Sequence, residues 1–249
     1  MISLVEDKRK RYMKDEYSKY WITAREKIYG FLDYDRALCE IMTRNFPKKG
    51  KILEVAIGTG FPFAQFLLNA GYLMYGVDIS PKLVEKCKTS YPEIVCQVGD
   101  AENLEYNNGE FDATYCFNSA FYFPNLEKAL QEMVRVTRNG GYIFFDIQNS
   151  NNPSIQAAYQ KQIRKTKGIG KLKQIIKNIK GMILKSAVNW DFIVYETPTD
   201  PRTILNFFQE NKKLEVLAPD PYPSCNLIQP KPNGRYRRYP RLVFLIQKH

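Results

Sequence analysis

The decapeptide KILEVAIGTG (residues 51–60) and the aspartate eighteen positions beyond it, Asp78, constrain this chain more than any other feature of its sequence. A short apolar run enters a turn holding Gly58 and Gly60, and a helix-like stretch follows. Glycines suit such a turn because the backbone must bend sharply and leave room for a ligand against it. The next apolar run, YLMYGVD, ends on Asp78, where a carboxylate is placed to accept hydrogen bonds from two ribose hydroxyls. The pair predicts a cofactor that contains a nucleoside.

Dinucleotide-binding loops carry G-x-G-x-x-G, the third glycine allowing close helix–strand packing. Here Phe61, Pro62 and Phe63 follow Gly60, and Pro62 instead suits the first turn of a helix. The stretch LEVAIGTG resembles the first motif of the class I S-adenosylmethionine-dependent methyltransferases, an acid followed by G-x-G-x-G. Glu54 matches the acid, Gly58 and Gly60 match the second and third glycines, and Ala56 replaces the first. Alanine adds only a methyl group, so close approach to the cofactor is expected to survive if φ at Ala56 stays negative.

The resemblance continues in order. YGVDISPKLVEKCK looks like the second motif, which implies Asp78 on the ribose and Ile79 beside the adenine. VGDAENLEY looks like the third, which implies Asp100 facing the adenine amino group, the Ala101 amide at the ring edge and Glu102 close by. FDATYCFNSAFYF looks like the fourth strand, ending near the methyl donor at Asn118 and Ser119. LQEMVRVTRNGGYIFFDI looks like the helix, Gly-Gly turn and fifth strand. The family resemblance, to a small type-11-like core, covers about residues 50–148 and implies S-adenosylmethionine as cofactor.

Periodicity agrees. Strands are expected near 51–56, 73–77, 94–98, 111–117 and 141–147, and helices near 62–70, 81–89 and 126–137. Such alternation gives a parallel sheet covered on both faces, with ligands at the carboxyl ends of its strands. A further strand-like piece is read in FIVYE, a helix after Asp200-Pro201, and two last strands in LEVLAP and RLVFLIQK. The fold class is therefore α/β: a doubly wound, mostly parallel, seven-stranded sheet. The loop between the last two strands, rich in Pro, Tyr and Arg, is expected to border the substrate site.

Two segments stand outside that alternation. Residues 1–46 are read as an N-terminal helical lid rich in tyrosine, with Tyr20 and Trp21 the candidates to cover the cofactor; plain packing on the sheet edge is the alternative. The core occupies 47–148 and 191–249. Between them, 149–190 is a basic helical cap insert. From Asn151 to Trp190 there are nine basic and no acidic residues, against a net charge of +11 for the whole chain. Leu172, Ile175, Ile176, Ile179 and Ile183 recur at helical spacing, so a basic amphipathic helix is expected.

The remaining composition narrows the chemistry. The one histidine, His249, is the final residue, so neither histidine-based catalysis nor a histidine metal site is expected, and no metal is assigned. Five scattered cysteines without C-x-x-C point to reduced thiols and a cytoplasmic protein. No apolar run is long enough to span a bilayer, and no secretory signal is read. Base candidates are Asp146, at the end of the fifth strand, and Tyr115 or Tyr122; Asp146 and Tyr122 are the catalytic assignments, with a structural cap the alternative for Asp146. Asp112 is read as orienting backbone at the opposite strand end. FNSAF is not the Asn-Pro-Pro-Tyr type of sequence that binds a flipped adenine, and no specific nucleic-acid target is expected.

The basic insert suggests an anionic partner. The family resemblance implies O-methylation of a small or sugar-type anionic substrate, nucleotide- or lipid-linked among the options, in polysaccharide or secondary-metabolite biosynthesis. Alternatives are N-methylation of a small molecule or amino sugar, and a non-catalytic protein that binds a membrane or polyanion through the insert. Oligomeric state is not legible.

Overall fold

The computed structural model describes residues 8–24, 30–184, 186, 188–190, 194–210, 214–218, 225–230 and 236–249. Five strands come in the expected order: β1 (Lys51–Val55), β2 (Leu73–Asp78), β3 (Val95–Val98), β4 (Phe111–Cys116) and β5 (Thr137–Gln148). Three more follow, β6 (Leu214–Ala218), β7 (Cys225–Pro230) and β8 (Tyr236–Lys248). The sheet runs β3-β2-β1-β4-β5-β8-β6. Strands β1 to β5 pair parallel, and β8 is antiparallel to β5 and β6. That path is the expected doubly wound, seven-stranded one. An eighth strand, β7, pairs with the first half of β8, where a loop had been expected.

Helices cover both faces. Among them are α1 (Ser18–Ala24), α2 (Asp33–Asn45), α3 (Phe63–Asn69), α4 (Pro81–Ser90) and α5 (Leu126–Val136). The insert forms α6 (Pro153–Lys165) and α7 (Gly168–Ile183), and α8 (Pro201–Gln209) follows. Capping explains several starts. Asn152 Oδ1 accepts from the Ser154 and Ile155 amides with Pro153 at the first helical position, and Asp200 caps α8 through the Arg202 amide ahead of Pro201. In α5, Ala129, Leu130, Met133 and Val136 are buried, the spacing of one helical face.

Two corrections concern boundaries. The strand read in FIVYE does not form over 194–198; Thr199 makes a single bridge to Asn149, and 191–193 lie outside the described residues. Strand β5 starts at Thr137, ahead of the Gly-Gly turn, because Thr137 pairs with Phe111 before the register shifts.

The sheet separates two apolar layers. Ile52, Phe117 and Phe144 face α2, α3 and α4, whereas Leu53, Val55 and Phe145 face α5 and α8. Asp112, at the amino end of β4, accepts from the Lys51 amide at 2.7 Å and pairs with Arg138 at 2.6 Å, fastening the sheet end opposite the glycine loop. Phe145 is fully buried, with ring centroids 5.3 Å from Phe244 and 5.9 Å from Phe208. Phe145→Ala is expected to lower unfolding free energy by about 3–5 kcal/mol, the usual range for an aromatic core truncation, read from urea denaturation.

Candidate active site

The chain reverses its winding direction between β1 and β4, and a cleft opens at the carboxyl ends of β1, β2 and β4. It encloses about 960 Å³, counting its open mouth.

Its floor is the loop after β1. Gly58 and Gly60 adopt φ of +60° and +84°, left-handed values that favour glycine. A Cβ at Gly58 would meet Trp21 Nε1 at 3.1 Å, and one at Gly60 would meet Tyr91 at 2.8 Å. Ala56 is also left-handed, at φ +62°, which corrects the expectation of a negative φ. The alanine holds the conformation for which the family motif uses glycine, at a cost of about 1–2 kcal/mol.

Asp78 fixes the loop to β2. Its Oδ2 accepts from the Gly58 amide and its Oδ1 from the Ser80 amide, both at 2.9 Å. Burial raises its pKa to about 6, against the pull of those two amides. Glu54 is buried at the end of β1 and accepts from Tyr115 Oη at 2.8 Å, which places Tyr115 beneath the floor. Ile79, Ala101 and Ser119 line the cleft.

At the third-strand end, Asp100 Oδ2 and Glu102 Oε2 both accept from Lys10 Nζ, at 2.8 and 2.7 Å. Glu102 also accepts from the Asn125 amide. Sequence reasoning missed Lys10, because its partners lie about ninety residues away. The segment carrying it crosses the cleft: Lys10, Met13, Tyr17 and Trp21 all line it. A π-helical turn at Tyr12–Tyr17 interrupts this segment, a feature often found at functional sites. Tyr20 does not line the cleft; its ring packs 6.1 Å from that of Tyr17, which takes the place expected of it.

The two catalytic assignments separate. Asp146 is fully buried and absent from the cleft lining. Its Oδ1 accepts from the Asn118 amide at 2.8 Å, its Oδ2 accepts from Tyr34 Oη at 3.1 Å, and Arg241 Nη1 lies 3.8 Å away. Burial raises its pKa, and the arrangement positions Asn118 rather than reaching a substrate. Asn118 is held at φ +58°, and its side-chain Oδ1 is buried without a hydrogen-bond partner beside the cleft. Tyr122 does line the cleft. Its hydroxyl donates to Glu196 Oε1 at 3.4 Å and lies 2.8 Å from Tyr17 Oη. Burial, then the neighbouring Tyr17 and Glu196, push its pKa well up, so the phenol keeps its proton. Glu196 was not singled out from the sequence.

Residues 53–145 match the methyltransferase domain family. The matched segment is a methyltransferase domain, and the fold is that of the class I S-adenosylmethionine-dependent methyltransferases. The chain is 33% identical over 106 residues to phthiotriol/phenolphthiotriol dimycocerosates methyltransferase of Mycobacterium leprae, covering 41% of this chain and 39% of that one. It is 26% identical over 171 residues to demethylmenaquinone methyltransferase of Chlorobaculum parvum, covering 68% and 64%. The matches thus span less than two thirds of either relative. Among solved structures, an S-adenosylmethionine-dependent methyltransferase of Methanosarcina mazei superposes with a TM-score of 0.60 at 14% identity, covering 84% of this chain and 96% of that one. Among the described residues no cluster of metal-ligating side chains occurs, and no helix is long and apolar enough to cross a membrane.

Two outcomes follow from the loop. Ala56→Gly is expected to raise unfolding free energy by about 1 kcal/mol, measured by denaturation, by releasing left-handed strain. Because the folded pKa of Asp78 lies above its unfolded value, its proton stabilises the fold below about pH 4. That contribution, about 2–3 kcal/mol, is lost as pH rises through about 6. Added hydroxyl donors favour the ionised form, so affinity for S-adenosylhomocysteine is expected to fall as pH drops below about 6, followed by calorimetry across pH.

Proposed function

We propose that this protein O-methylates a small acceptor with an apolar body, of the quinone or lipid class, using S-adenosylmethionine. The observation that carries the acceptor class is the cleft lining: Phe61, Phe117, Phe123, Met13, Tyr17 and Trp21 supply the walls. Lys10 is the one lysine or arginine in the described lining, and it is engaged by Asp100 and Glu102. An anionic sugar would find no further lysine or arginine among the described lining residues, which favours the apolar reading over the sugar-type one. Two relatives support it by name, one for demethylmenaquinone and one for phthiotriol dimycocerosates.

The residues present fit the cofactor. Asn118 Oδ1 and Thr59 Oγ1 are buried without partners, and Asp78 retains lone pairs beyond its two amide bonds. Asp78 would hold the ribose, Ile79 and Ala101 the adenine, and Asn118 the polar end. When bound, the cofactor supplies a methyl carbon that is already electrophilic. The chain's own work is to align an acceptor oxygen with that carbon, exclude water and receive a proton. Residues 8–24 act as the lid that excludes water. Tyr17 and Tyr122 form the route for the proton: each hydroxyl passes one on as it accepts another, ending on the Glu196 carboxylate.

The test has two stages. Calorimetry with S-adenosylhomocysteine should show binding that Asp78→Ala abolishes; no binding by the folded protein overturns the whole reading. Transfer of labelled methyl from S-adenosylmethionine should then favour a prenylated hydroquinone over a nucleotide sugar; the reverse preference overturns the acceptor class. Glu196→Gln is expected to lower kcat about a hundredfold while cofactor affinity stays unchanged.

A further inference from the structure

Helix α7 is mounted with its polar side inward. Asn178 and Gly181 are buried, and Gln174 is half-buried on the same face. Asn178 Oδ1 accepts from Gln174 Nε2 at 2.8 Å and from the Asn189 amide at 3.3 Å. A Cβ at Gly181 would meet Ser186 Oγ at 2.8 Å and Val188 Cγ1 at 3.1 Å, so the side chains of the following segment pack directly on this face. The apolar residues consequently face out: Ile169, Leu172, Ile176, Ile179 and Ile183 are 51–79% exposed.

Their spacing of three and four residues makes one continuous stripe on a helix of sixteen residues, about 24 Å long. Scattered exposed leucines need no explanation, but a contiguous stripe marks an interaction surface. Helical geometry puts Lys173, Lys177 and Lys180 along one shoulder of the stripe and Lys171 along the other, all exposed. No acidic residue occurs anywhere between Asn151 and Trp190.

We propose that the outer face of α7 docks the protein onto an anionic lipid bilayer. The apolar stripe enters the boundary between headgroups and acyl chains, and the lysines on its shoulders meet lipid phosphates. A protein partner could cover the stripe, but the one-signed charge around it complements an anionic surface. The insert is also joined to the cleft wall, since Gln162 Nε2 on α6 donates to Glu196 Oε2 at 2.9 Å, the carboxylate that Tyr122 contacts. The docking surface is argued from exposure and charge alone and stands apart from the acceptor's identity, so the two readings fail separately.

The experiment is flotation of the full chain with vesicles of phosphatidylcholine, alone or mixed with phosphatidylglycerol. Flotation is expected with the mixed vesicles only and is expected to weaken with salt. Lys173→Glu, Lys177→Glu and Lys180→Glu together should cut partitioning about a hundredfold, from about fivefold per lysine. Leu172→Gln, Ile176→Gln and Ile179→Gln together should abolish it. Thermal unfolding followed by circular dichroism checks that both variants remain folded; these side chains are exposed, and little change is expected. Absence of flotation by the unmodified chain overturns the proposal, as does flotation that neither variant alters. So does a dimer, seen by light scattering, that the glutamine variant dissociates while vesicles are ignored; a second copy would then cover the stripe.

Discussion

The Asp78 carboxylate joins the loop after β1 to the end of β2 through the Gly58 and Ser80 amides, and the cleft is organised around that junction. Together with the Ile57 amide, which donates to the Val77 carbonyl at 3.0 Å, it ties the left-handed path through Ala56, Gly58 and Gly60 to the neighbouring strand. The bonds are made in a buried setting, where an ionised carboxylate is disfavoured. The cleft thus keeps an acid that is poorly solvated and short of donors, a state that hydroxyl groups of a ligand would relieve. Strain at Ala56 and the buried, partnerless oxygens of Asn118 and Thr59 gather in the same floor, as rule-breaking features do at functional sites.

The parts legible in the sequence were those whose physics is local. The glycine turn, the acid closing β2 and the alternation of elements each depend on residues within a few positions of one another, and the parallel sheet followed from them. Sequence proximity also misled. Asp146 ends β5 near the cleft, as a base should, yet Tyr34 and Arg241 come from distant segments to enclose it. Lys10 was invisible for the same reason. The helical period of α7 is legible in Leu172, Ile175, Ile176, Ile179 and Ile183, but periodicity gives a stripe and not the direction it faces. That direction is set by Asn178 and Gly181, which offer hydrogen bonding and close approach on the opposite side.

An aromatic seam ties the separate segments together. Tyr12 stacks on Tyr195 at 4.9 Å, Tyr17 lies 5.0 Å from Tyr122, and Tyr122 lies 6.3 Å from Tyr195. Arg9 adds bonds to the Phe123 and Val194 carbonyls. Residues 194–199 therefore touch the N-terminal segment, the cleft wall and, through Gln162, the insert. They form no strand, which leaves their side chains available to three neighbours at once.

Lys10 gives the N-terminal segment a meaning that a covering helix alone would not have. Glu102 is 2% exposed, and Lys10 is a cation set against it and Asp100 together. Trimming residues 8–24 would carry off this charge along with Trp21 above Gly58, leaving two acids facing each other across a wet gap. The binding cleft is thus a composite object, one wall of it built by Lys10, Met13, Tyr17 and Trp21, which precede the sheet, and its electrostatic balance depends on them.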